Sequence, residues 1–169
     1  MKAKYALSLA VVVILCILAS GQEDTASYWN SKGNVLEEMN RYEDALGCYG
    51  NATRIDPEHA GAWFEIGYSN NELGKYNQAA QAYGKALEID PNDSVAWNNQ
   101  GWAYYNLGQY QEAVSCYENA TRIDPSDIGA LENKGDALLA LGRDAKAEVA
   151  YAKAKELEVN KIPIETGER

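Results

Sequence analysis

The chain has 169 residues, with 25 acidic against 15 basic side chains, 46% apolar content, 12 tyrosines and 4 tryptophans. That aromatic content argues against an acidic disordered chain, which would be poor in aromatics. Lys2 and Lys4 lie in the first 21 residues and every acid lies beyond them, leaving 13 basic against 25 acidic residues. Such a balance argues against broad nucleic-acid binding and against adhesion to an anionic membrane surface, both of which rely on basic clusters.

Residues 1–21 have a basic start, an uncharged apolar middle and a small exit at Ala19, Ser20 and Gly21, the layout of a secretory signal. The uncharged stretch includes Tyr5, Ser8 and the small exit residues, so its greasy part is shorter than the ~20 residues of a spanning helix. Two outcomes are open, a signal cleaved after Gly21 or a retained anchor, and both place the rest of the chain outside the cytoplasm. Any membrane contact is then through this segment alone. Cys16 follows Leu15, not the small residue that precedes a lipidated cysteine, and reads as one more apolar residue. Residues 22–25 form a short acidic linker.

Beyond it, Trp29, Trp63 and Trp97 are spaced 34 apart, with Leu131 in the fourth place. Four blocks without insertion follow: 26–59, 60–93, 94–127 and 128–161. Block position 8 is Gly33, Gly67, Gly101 and Gly135, and position 24 is Tyr49, Tyr83, Tyr117 and Tyr151. Alanine recurs at position 20 (Ala45, Ala79, Ala113, Ala147) and at position 27 (Ala52, Ala86, Ala120, Ala154). Each block starts with a helix-permitting run, ended at position 15 by Gly74, Gly108, Gly142 or, in the first block, Asn40. These residues best accept the left-handed conformation that closes a helix. A second helical run then meets Pro57, Pro91 or Pro125, each of which stops it. Asp93 and Asp127 are placed to cap the helices that follow. The recurring small residues let helices approach while the periodic Trp and Tyr fill the core.

This pattern resembles the tetratricopeptide repeat, over residues 26–161. The resemblance implies an all-α fold, a right-handed α-solenoid of antiparallel helix pairs, with four repeats. Departures fall at position 7, where the usual Leu survives only as Ile66 beside Lys32, Gln100 and Lys134, and in the fourth block, with Leu131 for Trp and Val159 for Pro. Terminal repeats are expected to be atypical.

In this family a concave groove holds partner peptides. At 100° per residue, positions 2, 5, 9 and 12 share one arc of the first helix, and the resemblance makes that arc the groove. It carries Asn30, Asn34, Phe64, Tyr68, Asn98, Trp102 and Tyr105, with Glu37, Glu132 and Asp136. The four aromatics are not periodic, unlike core Trp and Tyr, which favours a binding role; the alternative is that they only cover the groove between adjacent helices. Family members that hold an acidic C-terminal carboxylate use Lys and Arg at positions 5 and 9, where this chain has no basic residue. The expected partner is a protein or extended peptide with apolar or aromatic anchors and some basic character.

Catalytic chemistry is scarce. His59 is the single histidine, and signatures of metal, nucleotide and dinucleotide sites are missing, so no cofactor, metal ligand or catalytic residue is assigned. The expected role is a non-catalytic scaffold; an accessory or regulatory subunit of an envelope enzyme or secretion complex is the alternative, ahead of an enzyme in its own right. Asn51, Asn92 and Asn119 head N-glycosylation patterns, although repeat duplication alone accounts for the shared surroundings of Asn51 and Asn119. Cys48 and Cys116 hold one position two blocks apart, roughly 16–20 Å at the spacing of packed helices, beyond the ~7 Å reach of a disulfide. The polar tail at 162–169 contains Pro163 and supplies no capping helix, which invites end-to-end self-association.

Overall fold

A computed structural model describes residues 25–161 and contains eight helices there. They are α1 (Ala26–Glu38), α2 (Tyr42–Ile55), α3 (Ala60–Glu72), α4 (Tyr76–Ile89), α5 (Ser94–Asn106), α6 (Tyr110–Ile123), α7 (Ile128–Ala140) and α8 (Asp144–Lys161). Each block is one antiparallel pair. The leader, the linker up to residue 24 and the tail lie outside the described residues.

The punctuation works as the residue types require. Asn40, Gly74, Gly108 and Gly142 adopt φ of 57°, 69°, 74° and 68°, the left-handed turn between the two helices of each pair. Asp93 and Asp127 accept from the backbone N–H of Ala96 and Ala130 at 2.9 and 3.0 Å, capping α5 and α7. Thr25 and His59 hold the equivalent place before α1 and α3; His59 Nδ1 accepts from the Ala62 N–H at 3.1 Å. The single histidine therefore has a capping duty. Trp63 and Trp97 donate from Nε1 to the carbonyls of Pro57 and Pro91 at 2.9 and 3.0 Å, fastening each first helix to the loop before it.

The core repeats with the sequence. Tyr49, Tyr83 and Tyr117 are fully buried, each lying across the position-8 glycine of its own repeat. A Cβ on Gly67 or Gly101 would sit 2.7 Å from the tyrosine ring, so only glycine allows this approach. The alanines at positions 20 and 27 are buried throughout.

The polar substitutions at position 7 find separate solutions. Lys32 lies over the Trp29 ring, 4.9 Å from its centroid. Gln100 is buried, donates to the Ala80 carbonyl at 3.0 Å and accepts from the Cys116 thiol at 3.5 Å. Lys134 pairs with Glu118 at 3.4 Å. Cys48 and Cys116 are both free and buried, in α2 and α6, and burial pushes the Cys116 thiol up to about 12, with Glu112 adding to it. Helix α8 runs 18 residues against 14 for the other second helices, because Val159 stands where proline ends them.

Successive first helices (α1, α3, α5, α7) touch one another, whereas the second helices do not. The first helices therefore form the inner side of the array and the second helices its outer side.

Candidate functional site: the inner groove

Because the first helices line the inner side, positions facing away from their paired second helix project into a shared groove. The structure brings Tyr68, Asn98 and Trp102 together around a cavity of about 310 Å³, closed by Asn71, Glu72, Tyr83, Asn99 and Asn133. No Lys or Arg lines it.

The aromatic members differ in what they do. Trp102 is 44% exposed and stacks on half-buried Tyr105, with ring centroids 6.1 Å apart and planes 10° from parallel. Tyr105 in turn meets Tyr110 edge-on at 5.3 Å, which fixes the stack from behind. Phe64 packs edge-on against buried Tyr83 at 5.5 Å and joins the core cluster of repeats two and three. Its role is thus partly structural, as a covering residue would be, while its remaining surface opens onto a shallow cavity beside Val95.

The polar members are acceptor-rich. Tyr49 donates its hydroxyl to Glu37 Oε2 at 2.9 Å and lies 3.0 Å from the Asn34 amide oxygen. Ser69 reaches the same Glu37 oxygen at 3.5 Å, and Tyr151 donates to Asp136 at 2.6 Å. Asn133 donates to Asn98 at 3.1 Å, joining repeats four and three. Asn30 stands at position 5 of repeat one and Glu65 at position 6 of repeat two. Burial, then the charge of Glu37, pushes the half-buried Glu65 carboxyl up to about 7. Among the described residues, Asn30 Oδ1, Asn71 Oδ1 and the Tyr117 hydroxyl are buried without a hydrogen-bond partner. These atoms are enclosed in the wall of the groove and have almost no accessible surface.

The seven residues expected to line the groove divide accordingly. Tyr68, Asn98 and Trp102 meet at the cavity that repeats two to four share, with Tyr105 stacked beside it; Asn30 and Asn34 lie in repeat one, and Phe64 lies between groove and core. Missing from the expected arc were position 6 (Glu65, Asn99, Asn133), position 13 (Glu72) and the tyrosine hydroxyls at position 24. Their signal was composition: asparagine is a poor helix former, yet Asn30, Asn34, Asn70, Asn71, Asn98, Asn99, Asn106 and Asn133 all sit in first helices.

Among the described residues no group of three or more His, Cys, Asp or Glu could hold a metal ion, and no helix is long and apolar enough to cross a membrane. Asn51 and Asn119 are half-buried within α2 and α6, and the Thr53 and Thr121 hydroxyls bond to helix carbonyls. Asn92 is exposed in the loop before α5.

Three family models, each described as tetratricopeptide repeat, match residues 30–94, 94–127 and 128–158. A comparison with curated proteins returns no match. Among solved structures, a crystal structure of MamA is similar with a TM-score of 0.81 at 22% identity, covering 85% of this chain and 84% of that one. MamA (41-end) from Desulfovibrio magneticus RS-1 is similar with a TM-score of 0.79 at 20% identity, covering 85% and 81%. The first tetratricopeptide repeat domain of Spaghetti (RPAP3), bound to the HSP90 peptide SRMEEVD, gives 0.68 at 22% identity, covering 69% and 93%. At these identities the likeness is one of fold.

Proposed function

The chain belongs to the tetratricopeptide repeat family, and on that premise we propose that it is a non-catalytic scaffold whose inner groove takes an extended protein segment with aromatic or apolar anchors and basic side chains. The observation that carries this reading is the exposed Trp102–Tyr105 stack beside a cavity lined by asparagines and Glu72, with no basic residue. A stacked aromatic pair offers a flat apolar anchor, of the type enriched at binding hot spots. Asparagine amide oxygens and the Glu72 carboxylate accept hydrogen bonds, and Lys and Arg side chains carry several donors.

The RPAP3 domain is bound to a peptide ending in acidic residues. In this chain positions 5 and 9 are Asn30, Asn34, Phe64, Tyr68, Asn98, Trp102, Glu132 and Asp136, with no cation to receive such an end. The groove of this protein therefore favours the opposite charge.

The same proposal places the array outside the cytoplasm, released or tethered by residues 1–21, as the basic start and apolar middle of that segment support. There Asn92, exposed in a loop, is the best-presented glycan acceptor of the three. Val35 on α1, Met39 just after it and Val159 on α8 are exposed apolar side chains near the two ends of the array, which supports end-to-end self-association.

Replacing Trp102 and Tyr68 with Ala tests the groove. The expected outcome is loss of binding to immobilised peptides that combine Trp or Tyr with Lys or Arg, with an unchanged helical circular-dichroism spectrum. Retention of that binding removes the inner groove from the account.

A further inference from the structure

The outer side of the array carries a second groove, with the opposite electrostatics. It lies where α6, α7 and α8 meet and encloses about 660 Å³, a volume in the range of small-ligand sites. Its floor is apolar, formed by buried Val114, Leu131 and Leu138, and exposed Val149 stands on its rim. Lys134, Arg143, Lys146 and Lys153 line it, against a single carboxylate, Glu118.

Packing of the repeat accounts for only part of this, as the equivalent groove two repeats earlier shows: Arg143 corresponds to Lys75, which is paired with Glu43 at 4.0 Å. There Leu46, Trp63, Ile66, Gln78, Gln81 and Lys85 take the places of Val114, Leu131, Lys134, Lys146, Val149 and Lys153. The one cation among the six is exposed and pairs with Glu88 at 2.6 Å. In the later groove only Lys134 is paired, with Glu118; among the described residues Arg143, Lys146 and Lys153 form no ion pair. Three uncompensated cations around an apolar trough, in a chain of net charge −10, repel one another and gain from a negative partner.

We propose that this outer groove is a docking site for an acidic segment of a partner protein, one that seats an apolar side chain on Val114, Leu131 and Leu138 and sets carboxylates against Arg143, Lys146 and Lys153. Charge complementarity selects this occupant. A bilayer is flat and does not fill a trough, and nucleic acid is repelled by the acidic remainder of the chain. Inner and outer grooves then hold partners of opposite charge, and the chain bridges them.

The test uses the full chain and a fluorescein-labelled peptide of alternating glutamate and leucine, with binding followed by anisotropy. Lys146→Glu combined with Lys153→Glu should weaken binding about tenfold or more, and added salt should weaken wild-type binding progressively. Both lysines are exposed, so the fold tolerates the change. Lys155→Glu, a reversal on the same helix outside the groove, and Trp102→Ala in the inner groove should leave affinity unchanged. An equal loss with Lys155→Glu would reduce the effect to net charge and overturn the proposal, as would absence of binding by wild type. Phosphatidylglycerol vesicles that bind through Lys146 and Lys153 and displace the peptide would reassign the groove to membrane and also overturn it.

Discussion

Tyr49 and Tyr117 occupy the same position in repeats one and three, both fully buried and both lying across a glycine. Their hydroxyls meet different surroundings. Tyr49 donates to Glu37 beside Asn34, whereas Tyr117 has no partner. The cause is what stands at positions 9 and 12 of the preceding helix. In repeat one these are Asn34 and Glu37, which reach down to the tyrosine; in repeat three they are Trp102 and Tyr105, which stack on each other instead. The same scaffold therefore spends these positions on an internal polar network in one half of the groove and on a presented aromatic surface in the other.

The largest stability effect expected is common to both halves. Gly101→Ala places a Cβ 2.7 Å from the Tyr117 ring, and such overpacking typically costs about 1–3 kcal/mol, to be measured by urea unfolding. A neutral result would mean that the tyrosine is not locked over its glycine and would dissolve the basis of the comparison. Next, Tyr49→Phe should cost about 1–2 kcal/mol, because it removes a hydrogen bond to a carboxylate.

Glu65 separates the halves by pH. Its carboxyl, raised to about 7 by burial and by Glu37, keeps a proton that the unfolded chain has already released. Between the ordinary carboxylate range and about pH 7 the folded state binds more protons, so this group's contribution to stability falls as pH rises through that window and levels off above it. Thermal melts from pH 5 to pH 8 should show that decline, and Glu65→Gln should flatten it. An unaltered slope in the variant would place the coupling elsewhere. The smallest effect belongs to Tyr117→Phe, expected to be near zero or slightly stabilising because no hydrogen bond is lost. Equal losses for Tyr49→Phe and Tyr117→Phe would break the contrast between the two halves.

Much of this molecule is legible in its period. Spacing alone marked the glycines as points of close helix approach and the tyrosines as core, although not that each tyrosine lies across its own glycine, and the turns at Asn40, Gly74, Gly108 and Gly142 followed from residue type. The cap made by His59 was not foreseen, since histidine is not a usual capping residue; yet it shares its position with Asp93 and Asp127. The groove was legible only in part. An arc drawn on one isolated helix omits Glu65, Asn99 and Asn133, which enter through contact between neighbouring first helices. Phe64 was assigned to the groove because it breaks the period, but it also fills core space against Tyr83. The outer cationic groove was hidden for a similar reason: Lys134 stood out only as a departure from leucine, and nothing in the repeat pattern marked Lys146 and Lys153 until folding set them around one trough.

The central claim, that the inner groove takes basic and aromatic segments, is tested most directly by selecting binders from a random peptide library with the full chain and with Trp102→Ala in parallel. The account predicts that sequences combining Trp, Tyr or Leu with Lys or Arg are enriched by the wild-type chain and lost with the variant. Enrichment of that class by both proteins alike, or loss of only acidic sequences with the variant, would contradict it.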